Sequence, residues 1–122
     1  MEKVTGIGGV FFAAQAPDML AAWYRDNLGI DLVPGDYATP PWRQAAGETV
    51  FAPFAEVTDP LGGGARPFML NFRVDDLEAM IAQLEAAQIE VRRDPEDYPN
   101  GQFAWLRDPE GNPIELWQPS VP

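Results

Sequence analysis

Glu115 has the surroundings that most suggest chemistry in this chain. It lies in Pro113-Ile-Glu-Leu-Trp, where side chains alternate, so Ile114 and Leu116 point one way and Glu115 and Trp117 the other. An earlier run, Phe103-Ala-Trp-Leu-Arg, alternates too, and Asp108-Pro-Glu-Gly-Asn between them has the chemistry of a tight turn. Pro109 presets φ, Asp108 can accept from the backbone ahead of it, and Gly111 takes φ > 0. The unit is expected to be a hairpin that places Phe103 and Trp105 on the face of Glu115 and Trp117. A carboxylate desolvated by indoles can act as a general base or orient a cationic ligand. Two plainer roles stay open. Glu115 can be the structural ion partner of Arg73 or Arg43, and the tryptophans can fill a core or a dimer interface.

Other chemistries find little support. The chain has no cysteine and no histidine, so it lacks Cys-His and Ser-His-Asp sets, and Ser120 sits in the tail. Tyr24, Tyr37 and Tyr98 are the phenols that could supply a proton. Gly6-Ile-Gly-Gly lacks the spacing of a phosphate-binding loop. Nineteen acidic residues against eight basic ones give a net charge of −11, which repels phosphate backbones and argues against nucleic-acid binding. The acid excess suits a cationic ligand, or serves solubility alone. The 122 residues fit one domain. No apolar run approaches the ~20 residues of a membrane span, and no signal peptide is visible. A cytoplasmic protein is expected.

The elements that would position these residues come in two similar sets. Val10-Phe-Phe-Ala-Ala precedes Pro17 and a helical pattern through Leu20, Trp23, Tyr24 and Leu28. Sixty positions on, Leu70-Asn-Phe-Arg-Val leads through Asp75-Asp76 into Leu77, Met80, Ile81 and Leu84, spaced as one helix face. Helices are expected near 17–28 and 76–87, the second started by a capping box of Asp75 and Glu78. Short strand candidates follow each helix, Ile30-Asp-Leu-Val and Ile89-Glu-Val-Arg, and each half closes on Gly47-Glu-Thr-Val-Phe-Ala or Gly111-Asn-Pro-Ile-Glu-Leu. About eight strands result. Thr58 to Pro67, with three consecutive glycines between Pro60 and Pro67, is the expected linker, or a flap over a site. The residues from Gln118 to Pro122 are expected to fray.

The set resembles the vicinal oxygen chelate superfamily of glyoxalase I, bleomycin-resistance proteins and extradiol dioxygenases. Ala21-Ala-Trp-Tyr-Arg-Asp-Asn-Leu-Gly-Ile resembles its first helix and exit. Asn71-Phe-Arg-Val-Asp-Asp-Leu resembles the start of its second module, and Asp108-Pro-Glu-Gly-Asn-Pro-Ile-Glu-Leu-Trp its closing hairpin. The resemblance implies an α+β fold of two βαβββ modules in an open barrel around one central cavity. Within a single domain over 1–122, module one would span about 1–58, the linker 59–67 and module two 68–119. Metal-dependent members hold their ion from four strand positions, which the repeat places at Gly9, Phe51, Met69 and Glu115. Only Glu115 suits a hard or borderline cation, and the thioether of Met69 suits a softer one. No metal and no cofactor are expected.

Strand parity then sends Val10, Phe12, Ala14, Leu70, Phe72 and Val74 to the helices. The ligand-binding candidates on the other side are Phe11, Phe51, Met69, Asn71 and Arg73, with Phe103, Trp105, Glu115 and Trp117 from the last hairpin. Glu115 is also the best catalytic candidate. The leading expectation is a glyoxalase/bleomycin-resistance-like protein that binds a small, aromatic or cationic molecule without a metal. Two alternatives stand beside it: a metal-dependent lyase, isomerase or dioxygenase, and a non-catalytic interaction module with a filled cavity. The resemblance also implies a homodimer, to which Trp42 and Phe54 would contribute apolar area.

Overall fold

The computed structural model describes residues 1–55 and 67–120. Helix α1 runs Pro17–Leu28 and starts on proline, whose missing N–H costs nothing in a first turn. It stops at Gly29, whose φ of 73° gives the left-handed cap that frees the chain from the helix. Strand β1, Leu70–Arg73, is followed by helix α2, Leu77–Ala86, short strand β2, Arg92–Arg93, and the hairpin of β3, Gly101–Arg107, with β4, Pro113–Pro119. The fold is α+β, and its one sheet of described residues, ordered β1-β4-β3-β2, is not closed.

Both helices fall where the spacing of apolar residues puts them. The cap of α2 differs by one residue: Asp76, not Asp75, is the N-cap, and its carboxylate accepts from the Ala79 N–H at 3.0 Å. Gln118 completes that helix start by accepting from the Leu77 N–H at 2.7 Å. The core lies between the helices and one sheet face. Leu77, Ile81 and Leu84 of α2 and Leu20 and Tyr24 of α1 cluster with Ala104, Leu106, Ile114 and Leu116. Burying each large aliphatic side chain contributes about 1.5–3 kcal/mol, so this interface dominates the stability of the fold.

Among the described residues four strands stand where about eight were expected for the chain, all from residues 70 onward. The segments Val10–Ala14, Ile30–Val33 and Gly47–Ala52 form no ladder, and Val10, Val33, Val50 and Phe51 are exposed. Alternation marks a segment that can be a strand. A strand also needs a partner edge, and Pro34, Pro40, Pro41 and Pro53 remove donors from the stretch that would supply one. Ala14 still packs against the core as parity requires, and Phe12, though exposed, keeps ring contacts on that side. The Phe12 ring lies 5.8 Å from Phe68 and 6.5 Å from Tyr24. The expected fraying at Gln118 is also corrected, since Gln118 and Pro119 pair with Gln102 and Gly101. The linker or flap stretch lies, apart from Pro67, outside the described residues.

Candidate functional site

The hairpin turn is built first by its own side chains. Asp108 Oδ1 accepts from the backbone N–H groups of Glu110 (2.9 Å) and Asn112 (3.0 Å), while Gly111, at φ 84°, donates to the Asp108 carbonyl. The second oxygen, Oδ2, accepts from Asn112 Nδ2 and the Tyr24 hydroxyl, each at 2.7 Å. Glu110 reaches across to the entry of α1, accepting from the Gln15 N–H at 2.7 Å and the Ala16 N–H at 3.0 Å. Burial first, then the bond to Asp108 and its charge, hold the Tyr24 phenol well above the ordinary tyrosine range. Buried, and with its hydroxyl committed to Asp108, Tyr24 is a strut between α1 and the turn. Tyr98 donates to Asp94 at 3.0 Å, and that bond, with some desolvation and the nearby negative charges of Asp94 and Glu96, pushes its phenol up to about 12. Tyr37 is fully exposed.

The sheet face turned away from the helices holds the other chemistry. Pairing of β3 with β4 sets Trp105 opposite Glu115 and Phe103 opposite Trp117. Parallel pairing of β1 with β4 sets Asn71 beside Glu115 and Arg73 beside Trp117. Glu115 receives a hydrogen bond at each oxygen, from Asn71 Nδ2 to Oε1 at 2.7 Å and from Trp105 Nε1 to Oε2 at 2.8 Å. The bonds fix the carboxylate plane and leave the other lone pairs of both oxygens for a further donor. Phe103 and Trp117 lie parallel, 6.3 Å between centroids, and the Trp117 indole donates to the Asn100 carbonyl at 2.8 Å. Gly101, at φ 136°, lets the strands close here, because a Cβ on it would meet the Gln118 carbonyl at 2.2 Å.

The structure thus brings six of the expected residues onto one face: Asn71, Arg73, Phe103, Trp105, Glu115 and Trp117. It does not gather the other three. Phe11 and Phe51 are 96% and 84% exposed, and Met69 sits half-buried just before β1, outside the ladder. The alternative role of Glu115, as ion partner of Arg73 or Arg43, is not found among the described residues. Arg73 instead donates to the Ala45 carbonyl at 3.1 Å and lies against the α-carbon of Gly47. Arg92 was missed. It pairs with Trp105 on β2, its guanidinium carbon 4.7 Å from the centre of the indole. The inward pair Ile89 and Val91 was the available signal, since alternation then sends Arg92 to the opposite face.

Two concavities lie away from Glu115. One of about 500 Å³ is lined by Ala13–Gln15, Pro109 and Glu110, and one of about 290 Å³ lies beside Tyr98, Gly101 and Gln118. Among the described residues no three His, Cys, Asp or Glu side chains gather. Gly9 and Phe51 carry no ligating group, Met69 offers a thioether, and Glu115 is already engaged by two N–H donors. This donor set does not fit a hard divalent ion. No described helix is long and apolar enough to cross a membrane.

A glyoxalase-like domain matches residues 9–117. The chain belongs to that family. The glyoxalase-like fold recurs in TnmS3, described as an antibiotic binding protein from Streptomyces sp. CB03234, at TM-score 0.66 and 19% identity over 98% of this chain and all of that one. It recurs in lactoylglutathione lyase from Agrobacterium tumefaciens, at TM-score 0.58 and 19% identity over 96% of each chain. These two likenesses show the fold alone; the family match over residues 9–117 is what supports the vicinal oxygen chelate superfamily. In sequence, 52 residues are 38% identical to the uncharacterized protein YaeR of Escherichia coli strain K12. That match spans 40% of this chain and 39% of the relative.

Proposed function

We propose that this glyoxalase-like domain binds a small planar molecule, aromatic and preferably cationic, on the open sheet face and without a metal. The observation that carries this reading is the Glu115 carboxylate, held at both oxygens on a face of aromatic rings. A fixed acceptor among rings suits a ligand that stacks and donates, and the net charge of −11 draws cations toward it. The antibiotic-binding description of TnmS3 supports the same class of role on the same fold. Phe11, Phe51 and Met69 belong to the site only if the first half of the chain closes over this face when ligand binds. The two-module division, 1–58 and 68–119, is part of that reading.

The test is calorimetric titration with 9-aminoacridine, a planar cation, and with acridine, its nearly neutral analogue at pH 7.5. The cation should bind more tightly. Glu115→Gln, which keeps shape and removes charge, should weaken the cation by about 1.5–3 kcal/mol and leave acridine unchanged. Equal loss for both compounds, or no binding of either, overturns the proposal.

We also propose a homodimer. The exposed Val10, Phe11, Val50 and Phe51 offer apolar area, with Trp42 and Phe54 beside them in sequence terms. A stable pairing buries at least ~1,000 Å². Light scattering that returns a monomer at micromolar concentration defeats it.

A further inference from the structure

Four side chains form one row straight across the sheet. Asn71 on β1 pairs in register with Glu115 on β4, Glu115 with Trp105 on β3, and Trp105 with Arg92 on β2. The row is also continuous in contact: Asn71 bonds Glu115 at 2.7 Å, Trp105 bonds Glu115 at 2.8 Å, and the Arg92 guanidinium covers the Trp105 ring at 4.7 Å. Its two charges have opposite sign and flank one indole. Arg92 is exposed and makes no ion pair among the described residues, whereas its neighbour Arg93 is engaged with Glu78, Asp97 and Gln102 on the other face. A guanidinium presents a planar fork of donors that matches a carboxylate or phosphate in two parallel bonds, and it can stack on a ring while doing so.

We propose that Arg92 is a specificity-determining residue of this face, and that the preferred ligand is amphoteric. Such a ligand is a planar aromatic carrying a protonated donor for Glu115 and, on the far side of Trp105, an anionic group for Arg92. The inference rests on the reading that this face binds ligand. Steps between neighbouring strands of about 4.8 Å put the backbones of Glu115 and Arg92 roughly 10 Å apart, and the folded-over guanidinium shortens that reach to the width of a fused ring system. Arg92 supplies, directly over Trp105, a positive charge that no acidic side chain pairs with among the described residues.

Two probes with one ring system separate the roles: 9-aminoacridine and 9-aminoacridine-4-carboxylate. Titrated calorimetrically into the wild type, the amphoteric probe should bind about tenfold more tightly than 9-aminoacridine, the scale of one charged hydrogen bond. Arg92→Ala should abolish that advantage and leave 9-aminoacridine within about twofold. Arg92→Lys, which keeps charge but not the planar fork, should retain only part of it. Equal weakening of both probes in Arg92→Ala would mean that Arg92 only steadies the indole, and overturns the inference. So would an amphoteric probe that binds the wild type no better than the cation, although the binding reading would then stand. No binding of any probe would remove both.

Discussion

Asp108 and Glu115 are seven residues apart on one hairpin, and the fold uses them in opposite ways. Asp108 is buried and accepts from two backbone N–H groups, an amide and a phenol, so its bonds tie the turn to α1. Glu115 is half-exposed, and it accepts from Asn71 and Trp105, both side chains on the open face. A carboxylate bonded to backbone holds the chain's own path. One bonded by side chains on an open surface is aimed, and keeps capacity for something that is not part of the chain. The difference separates the stabilising half of the hairpin from the half available for ligand.

Several substitutions would break or sharpen that contrast. Asp108→Ala leaves several buried donors unpaired at a cost of about 1–3 kcal/mol each where water cannot reach. Stability in urea should fall by about 3–5 kcal/mol, and a loss under 1 kcal/mol would mean the turn is not a lock. Gly101→Ala forces a Cβ onto the Gln118 carbonyl at a left-handed φ, and should cost about 2–4 kcal/mol through the same measurement.

Alkaline titration follows the same line. A phenol whose folded pKa lies above its unfolded value near 10 contributes stability that is complete below pH 10 and is lost as pH rises through the folded value. Tyr24 and Tyr98 both shift this way, Tyr98 to about 12. The thermal midpoint should therefore decline above pH 10, and more gently in Tyr24→Phe; an unchanged slope in that variant would detach Tyr24 from the lock. Glu115→Gln should be the mildest for folding, within about 1 kcal/mol, since one oxygen still accepts and the other position borders solvent. A large fall in stability would make Glu115 a second Asp108.

What the sequence reveals of this molecule follows the range of its signals. Period-two alternation placed Asn71, Arg73, Phe103, Trp105, Glu115 and Trp117 on one face, because the pleat alone decides the side on which a residue stands. Helical spacing located α1 and α2 for the same reason. Pairing is different, since a ladder depends on an edge far along the chain. Val10–Ala14 and Gly47–Ala52 alternate or run apolar as well as β1 does, yet join no strand. The bonds of Glu110 to residues 15 and 16, and of Gln118 to the start of α2, cross 94 and 41 positions or more and leave no local trace. Arg92 was within reach of parity, but a two-residue strand offers little alternation to count.

The strand order has a consequence during synthesis. β4 lies between β1 and β3, so the strand that leaves the ribosome after every other strand of its sheet is one of the two at the centre. Until residues 113–119 emerge, β1 has no neighbour, α2 lacks the apolar floor of Ile114 and Leu116, and Trp105 has no carboxylate to hold. At about 5–20 residues per second the nascent chain carries Leu77, Ile81 and Leu84 uncovered for seconds. Glu78 and Glu85, interleaved with them, put negative charge beside that waiting apolar face, where gatekeeper charges oppose association.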